Sequence, residues 1–71
     1  MHHKFPNSLI RSANHAANAQ VRCHNGDGTE DAADRAIISF ERKAHAMGYG
    51  VFWPGLYPVL KKDDQEIHMP G

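Results

Sequence analysis

Large hydrophobic side chains crowd the C-terminal half of the chain and thin out in front of it. Between Ala36 and Met69 run Ile37, Ile38, Phe40, Met47, Tyr49, Val51, Phe52, Trp53, Leu56, Tyr57, Val59, Leu60 and Ile67. The first 28 residues offer only Phe5, Leu9, Ile10 and Val21 beyond Met1. Lys4, Arg11 and Arg22 punctuate that stretch, and no carboxylate precedes Asp27. The pattern predicts two parts: a basic, weakly amphipathic arm with its turn over 1–28, and a small packed domain over 29–71. On this reading the core lies within the domain, and the arm is dispensable for folding.

Local signals divide the chain further. Pro6 stops any earlier helix, and Asn7 or Ser8 is available as an N-cap. From Leu9 to Arg22 the residues favour helix, and Ile10, Ala13, Ala17 and Val21 share one face. That stripe is narrow and mostly methyl-sized, so the segment is marginal alone and expected to be helical or disordered. Asn25-Gly26-Asp27-Gly28 is a turn, since Asn and Gly tolerate positive φ. A main helix follows over 29–47, capped by Asp27 or Thr29, with Asp27 and Glu30 at capping-box spacing. Glu30, Asp31 and Asp34 complement its positive end, and Arg42, Lys43 and His45 its negative end. Ala33, Ile37, Phe40, Ala44 and Met47 form its buried face, and Gly48 is a natural stop.

Beyond Gly48 the period shortens. Tyr49–Trp53 is β-branched and aromatic enough for a strand. Pro54-Gly55 suits the centre of a type II turn, and Leu56–Lys61 predicts a second strand that Pro58 restricts to an edge or bulge. Lys61–Glu66 is a polar turn, and Glu66–Met69 pairs back as a short third strand. The fold class expected is α+β: one main helix packed on a small antiparallel two- or three-stranded meander, preceded by the arm.

Seventy-one residues sit near the size where one core barely offsets chain entropy. A deep apolar substrate cavity would consume side chains that this core needs, which argues against an enzyme. Eight basic and eight acidic residues cancel, so no net field draws the chain to nucleic acid or membrane. The single cysteine, Cys23, excludes an internal disulfide and fits a reducing compartment. No apolar run follows Met1-His2-His3-Lys4, and none elsewhere has transmembrane length, so a cytoplasmic protein is expected.

Metal chemistry finds incomplete ligand sets. Asn25–Thr29 resembles the middle of an EF-hand loop, with Asp31 and Asp34 extending it. Aligning Gly28 with the turn glycine puts Cys23 at the first ligand position and Glu30 at the apolar one, which defeats a calcium site. Cys23-His24, with His15, His45 and His68, lacks the second close pair that zinc requires. Cys23 and His24 are adjacent and do not aim at one reacting atom, and a cysteine nucleophile needs an oxyanion hole and an orienting group. Asp63, Asp64 and Glu66 belong to a solvated turn. No catalytic residue, metal or cofactor is expected.

Two features remain for binding. Phe52-Trp53-Pro54-Gly55-Leu56-Tyr57-Pro58 packs apolar residues around one turn, where at most half can face a core. Aromatic residues dominate binding hot spots, so Phe52, Trp53, Leu56 and Tyr57 are the candidate partner-binding residues. The competing role for Trp53 and Tyr57 is to close the core under the helix. Lys4, Arg11 and Arg22, with His15, offer electrostatic contact, though they fall short of a clustered nucleic-acid stripe.

A basic segment before a compact helix-and-hairpin domain resembles, in overall plan, small early proteins of bacteriophages. More narrowly it resembles phage transcription antiterminators that bind host RNA polymerase. The resemblance implies a small domain docked on the polymerase, with the arm near the RNA exit path. There it would hinder terminator hairpins, and overlap with the sigma factor's surface would inhibit initiation. The expectation is a monomeric, non-enzymatic regulator in the host cytoplasm that binds a host protein complex, with RNA contact by the arm. The alternatives are an inhibitor of another host complex, such as a nuclease defence system, and a small RNA-binding module.

Overall fold

The computed structural model describes residues 4–69. Two helices precede a three-stranded sheet: α1 Asn7–His24, α2 Glu30–Ala46, β1 Gly50–Phe52, β2 Val59–Lys62 and β3 Gln65–Ile67. The sheet is antiparallel in the order β1-β2-β3, with Val51 opposite Leu60 and Leu60 opposite Ile67. Each element packs chiefly on its neighbour in sequence: α1 on α2, α2 on β1, β1 on β2 and β2 on β3. The α+β class holds. In place of one main helix with an arm in front, the structure has two helices of nearly equal length, 18 and 17 residues.

The core explains why α1 orders. One buried cluster joins Phe5, Leu9, Ala13 and Ala16 to Ala36, Phe40, Ala44, Leu60 and Ile67, so it runs across position 28. Phe5 lies flat against Phe40, with ring centroids 6.4 Å apart and 14° between planes. The seam between the helices is built from alanines, whose small side chains let two helices approach closely. Apolar burial thus comes from proximity rather than side-chain bulk. Ser8 Oγ donates to Met47 Sδ at 3.8 Å and Lys43 Nζ to Ser12 Oγ at 3.1 Å, tying the start of α1 to the end of α2.

Both helices end in the same way. Gly26 and Gly48 take φ of +86° and +88°. Behind Gly26, Asp27 N–H donates to Arg22 C=O, and behind Gly48, Tyr49 N–H donates to Ala44 C=O. Each is a Schellman closure, which satisfies carbonyls that the helix leaves open. At the start of α2, Thr29 Oγ1 accepts from Ala32 N–H at 3.1 Å, so Thr29 is the cap and not Asp27. At the start of α1, Pro6 takes the cap position with no side-chain hydrogen bond. Its carbonyl accepts from Leu9 and Ile10, and the capping role expected of Asn7 or Ser8 is not used.

Three strand-level expectations and one for the face of α2 also change. Gly55 is not among the glycines with positive φ, so Pro54-Gly55 does not form the type II turn. Pro58 stands just before β2 and outside the ladder, which allows β2 to be the central strand rather than an edge. Met47 is exposed, whereas Ala36 lies in the buried face of α2. The β2–β3 turn is tighter than read: Asp63 and Asp64 alone connect the strands, with φ of 52° and 66°, the left-handed pair of a type I′ hairpin.

Candidate functional site

Among the described residues no polar or charged residue is buried as a whole, and Gln20 Nε2 is a buried side-chain nitrogen without a hydrogen-bond partner, so most of the chemistry they present lies on the surface. Two surfaces stand out.

The first is the loop between β1 and β2. It is anchored at its start by Trp53, whose ring meets Phe40 edge-on at 5.9 Å and whose Nε1–H donates to Glu41 Oε1 at 3.3 Å. It is anchored at its end by Pro58, which is fully buried. Between these posts the chain stands clear, with Leu56 50%, Tyr57 54% and the preceding Phe52 37% exposed. Leu56 and Tyr57 rim an open groove of about 730 Å³, which Ile10 and Asn14 of α1 close on one side and His68 and Met69 on the other. Of the expected partner-binding residues, the structure brings Leu56 and Tyr57 to one groove and leaves Phe52 half-exposed at the end of β1. Trp53 is turned onto the core. The contribution of Ile10, Asn14, His68 and Met69 was not visible in the sequence, because the first two lie on α1 and the last two follow β3, and only the tertiary fold brings them to the loop.

The second is the outer surface of the helix pair. Lys4, Arg11 and Arg22 are all exposed. Arg11, His15 and Arg22 lie along one ridge of α1, at helical spacing. Arg11, Ser12 and His15 share a shallow groove with Ser39 and Lys43 of α2, and Arg35 and Arg42 line the next groove with Lys43. Lys4 lines neither groove. The expected set therefore gains three cations that sequence reading assigned to the dipole of α2 or passed over. Only the antiparallel helix pair reveals that Lys43 is a neighbour of Arg11 and links it to Arg35 and Arg42.

The remaining candidates do not assemble. No group of three or more His, Cys, Asp or Glu residues stands close enough to hold a metal ion among those described. Cys23, half-buried, lies with Gln20, His24, Glu30 and Asp34 along a groove that reaches Leu56. His68 Nε2 lies 3.3 Å from Glu66 Oε1 at the exposed end of β3. Among the described residues no helix is long and apolar enough to cross a membrane.

Compared with known protein families, curated proteins and solved structures, the chain matches none.

Proposed function

We propose that the chain is a non-enzymatic binding module that docks on a host protein complex through the β1–β2 loop. The supporting observation is the solvent exposure of Leu56 and Tyr57 beside an open, mainly apolar groove. In so small a protein, large apolar side chains in solvent are needed more in the core than outside it, and contiguous exposed patches mark interaction sites. Trp53 and Pro58 hold the loop at both ends, which lowers the ordering cost on docking. In this arrangement Trp53 positions the loop, while Leu56, Tyr57 and Phe52 touch the partner.

The partner that the resemblance favours is RNA polymerase in the host cytoplasm, with altered termination and inhibited initiation as the outcome. The cations Lys4, Arg11 and Arg22 then contribute contacts to RNA or to an acidic rim. The test uses purified bacterial polymerase, a template with an intrinsic terminator, and the full chain beside a Leu56→Ala/Tyr57→Ala variant. Both side chains are exposed, so the variant keeps its fold. The expected result is read-through and reduced initiation with the unaltered chain, and a loss of about tenfold or more in potency with the variant. No effect of the unaltered chain overturns the polymerase assignment. Full potency of the variant overturns the docking surface.

A further inference from the structure

The outer surface of the helix pair has a charge arrangement that the neutral total conceals. Phe40 points into the core. Turning about 100° per residue from it puts Lys43 and Ser39 on the side of α2 toward α1, Arg35 and Arg42 on the adjoining outward face, and Glu30, Asp34 and Glu41 on the far side. Glu41 is held there by Trp53. On α1 there is no carboxylate at all, and its outer ridge carries Arg11, His15 and Arg22. Five of the chain's eight basic side chains, Arg11, Arg22, Arg35, Arg42 and Lys43, thus gather on one surface. Among the described residues none of these five lies within ion-pair distance of a carboxylate. Asp27 lies beside Arg22 at one end, and Asp31 one turn before Arg35.

We infer that this surface binds the phosphate backbone of a nucleic-acid duplex. Four of the five cations are arginines, whose planar fork suits phosphate oxygens. Polar donors interleave with them, namely Ser12, His15, Asn18 and Ser39. The ridge from Arg11 to Arg22 extends about 16 Å, enough to follow several phosphates of a double helix. A single strand is disfavoured because single-strand binding rests on aromatic stacking, and the exposed aromatic residues, Phe52 and Tyr57, belong to the sheet side. An acidic protein partner is disfavoured because the exposed apolar side chains near these cations, Val21, Ile38 and Met47, include no aromatic anchor. The contact is to backbone alone, so it carries no base sequence preference. It also differs from RNA contact by an N-terminal arm: three of its five charges come from α2, and Lys4 is not part of it.

The inference is independent of the docking loop. Binding of the full chain to four labelled probes is followed by fluorescence anisotropy: a DNA duplex, an RNA duplex, a single strand of the same length, and a poly-glutamate peptide. The expected result is duplex binding in the range of about 1–100 μM near physiological salt. Five phosphate contacts imply a log–log salt slope of about −4.5 for duplex DNA, a loss of roughly 500-fold between 50 and 200 mM salt. Arg42→Gln shifts that slope by about 0.9 and weakens binding, whereas Lys61→Gln, which removes one exposed charge from the sheet, leaves the slope as it was. Leu56→Ala/Tyr57→Ala binds duplex as well as the unaltered chain does, so failure here and failure of the loop are distinguishable. Absence of duplex binding, preference for the single strand or for poly-glutamate, or equal effects of Arg42→Gln and Lys61→Gln would each overturn the inference.

Discussion

Replacing Phe5 with Ala tests whether the segment before α1 belongs to the core. Phe5 is only 6% exposed and stacks on Phe40, the largest fully buried side chain. Removing a buried Phe costs about 3–5 kcal/mol, and a stacked aromatic pair adds about 0.5–1.5 kcal/mol beyond the area it buries. Phe5 lies outside any helix or strand, where the backbone can relax toward the cavity, so the low end, about 3 kcal/mol, is expected. For a domain of this size, whose whole stability is about 4–11 kcal/mol, such a loss lowers the melting temperature by roughly 12–24 °C. Thermal and urea unfolding followed by far-ultraviolet circular dichroism, with Trp53 fluorescence as a second probe, measure it. Lys4→Ala serves as the neighbouring surface control and should shift stability by no more than about 0.5 kcal/mol. If Phe5→Ala and Lys4→Ala have equal effects, the stacked pair does not hold the N-terminal segment in the core, and a dispensable arm is restored.

Two further substitutions probe the backbone. Gly48→Ala should cost about 1–2 kcal/mol, because a Cβ there meets nothing within 4 Å and the whole penalty is the left-handed conformation; chemical denaturation measures it. Asp63→Asn with Asp64→Gly should raise stability by up to about 1 kcal/mol, since Asn-Gly suits the two left-handed positions of this hairpin better than two like-charged aspartates; a fall in the urea midpoint would refute the turn geometry.

The second helix, the three strands and the glycine stops were readable because each has a local cause: period, cap or φ. The role of α1 was not. Its buried residues are mostly alanines, and weighing side chains by size treats alanines as weak anchors. Their value is to let α2 come close, which depends on α2 carrying alanines at the matching height, and that match is tertiary. Trp53 was ambiguous for a related reason. It sits one residue past the β1 ladder, where alternation no longer sets its direction, and Glu41 and Phe40 on α2 decide it. The cations of α2 looked like dipole compensation at a helix end. They are also a surface, but only beside a helix that has no carboxylates.

The order in which elements pack has a kinetic consequence. Each element meets chiefly the one that follows it, so the native arrangement is reached by closing short loops: Asn25–Thr29 between the helices and Asp63-Asp64 between the last strands. Closure entropy grows with the logarithm of loop length, and chains dominated by local contacts fold in roughly microseconds to milliseconds. The helix pair can form before β1 is needed, and each strand adds to a neighbour already in place. A refolding chain of this kind leaves the edges of its central strand β2 unpaired only briefly, which shortens the window for aggregation.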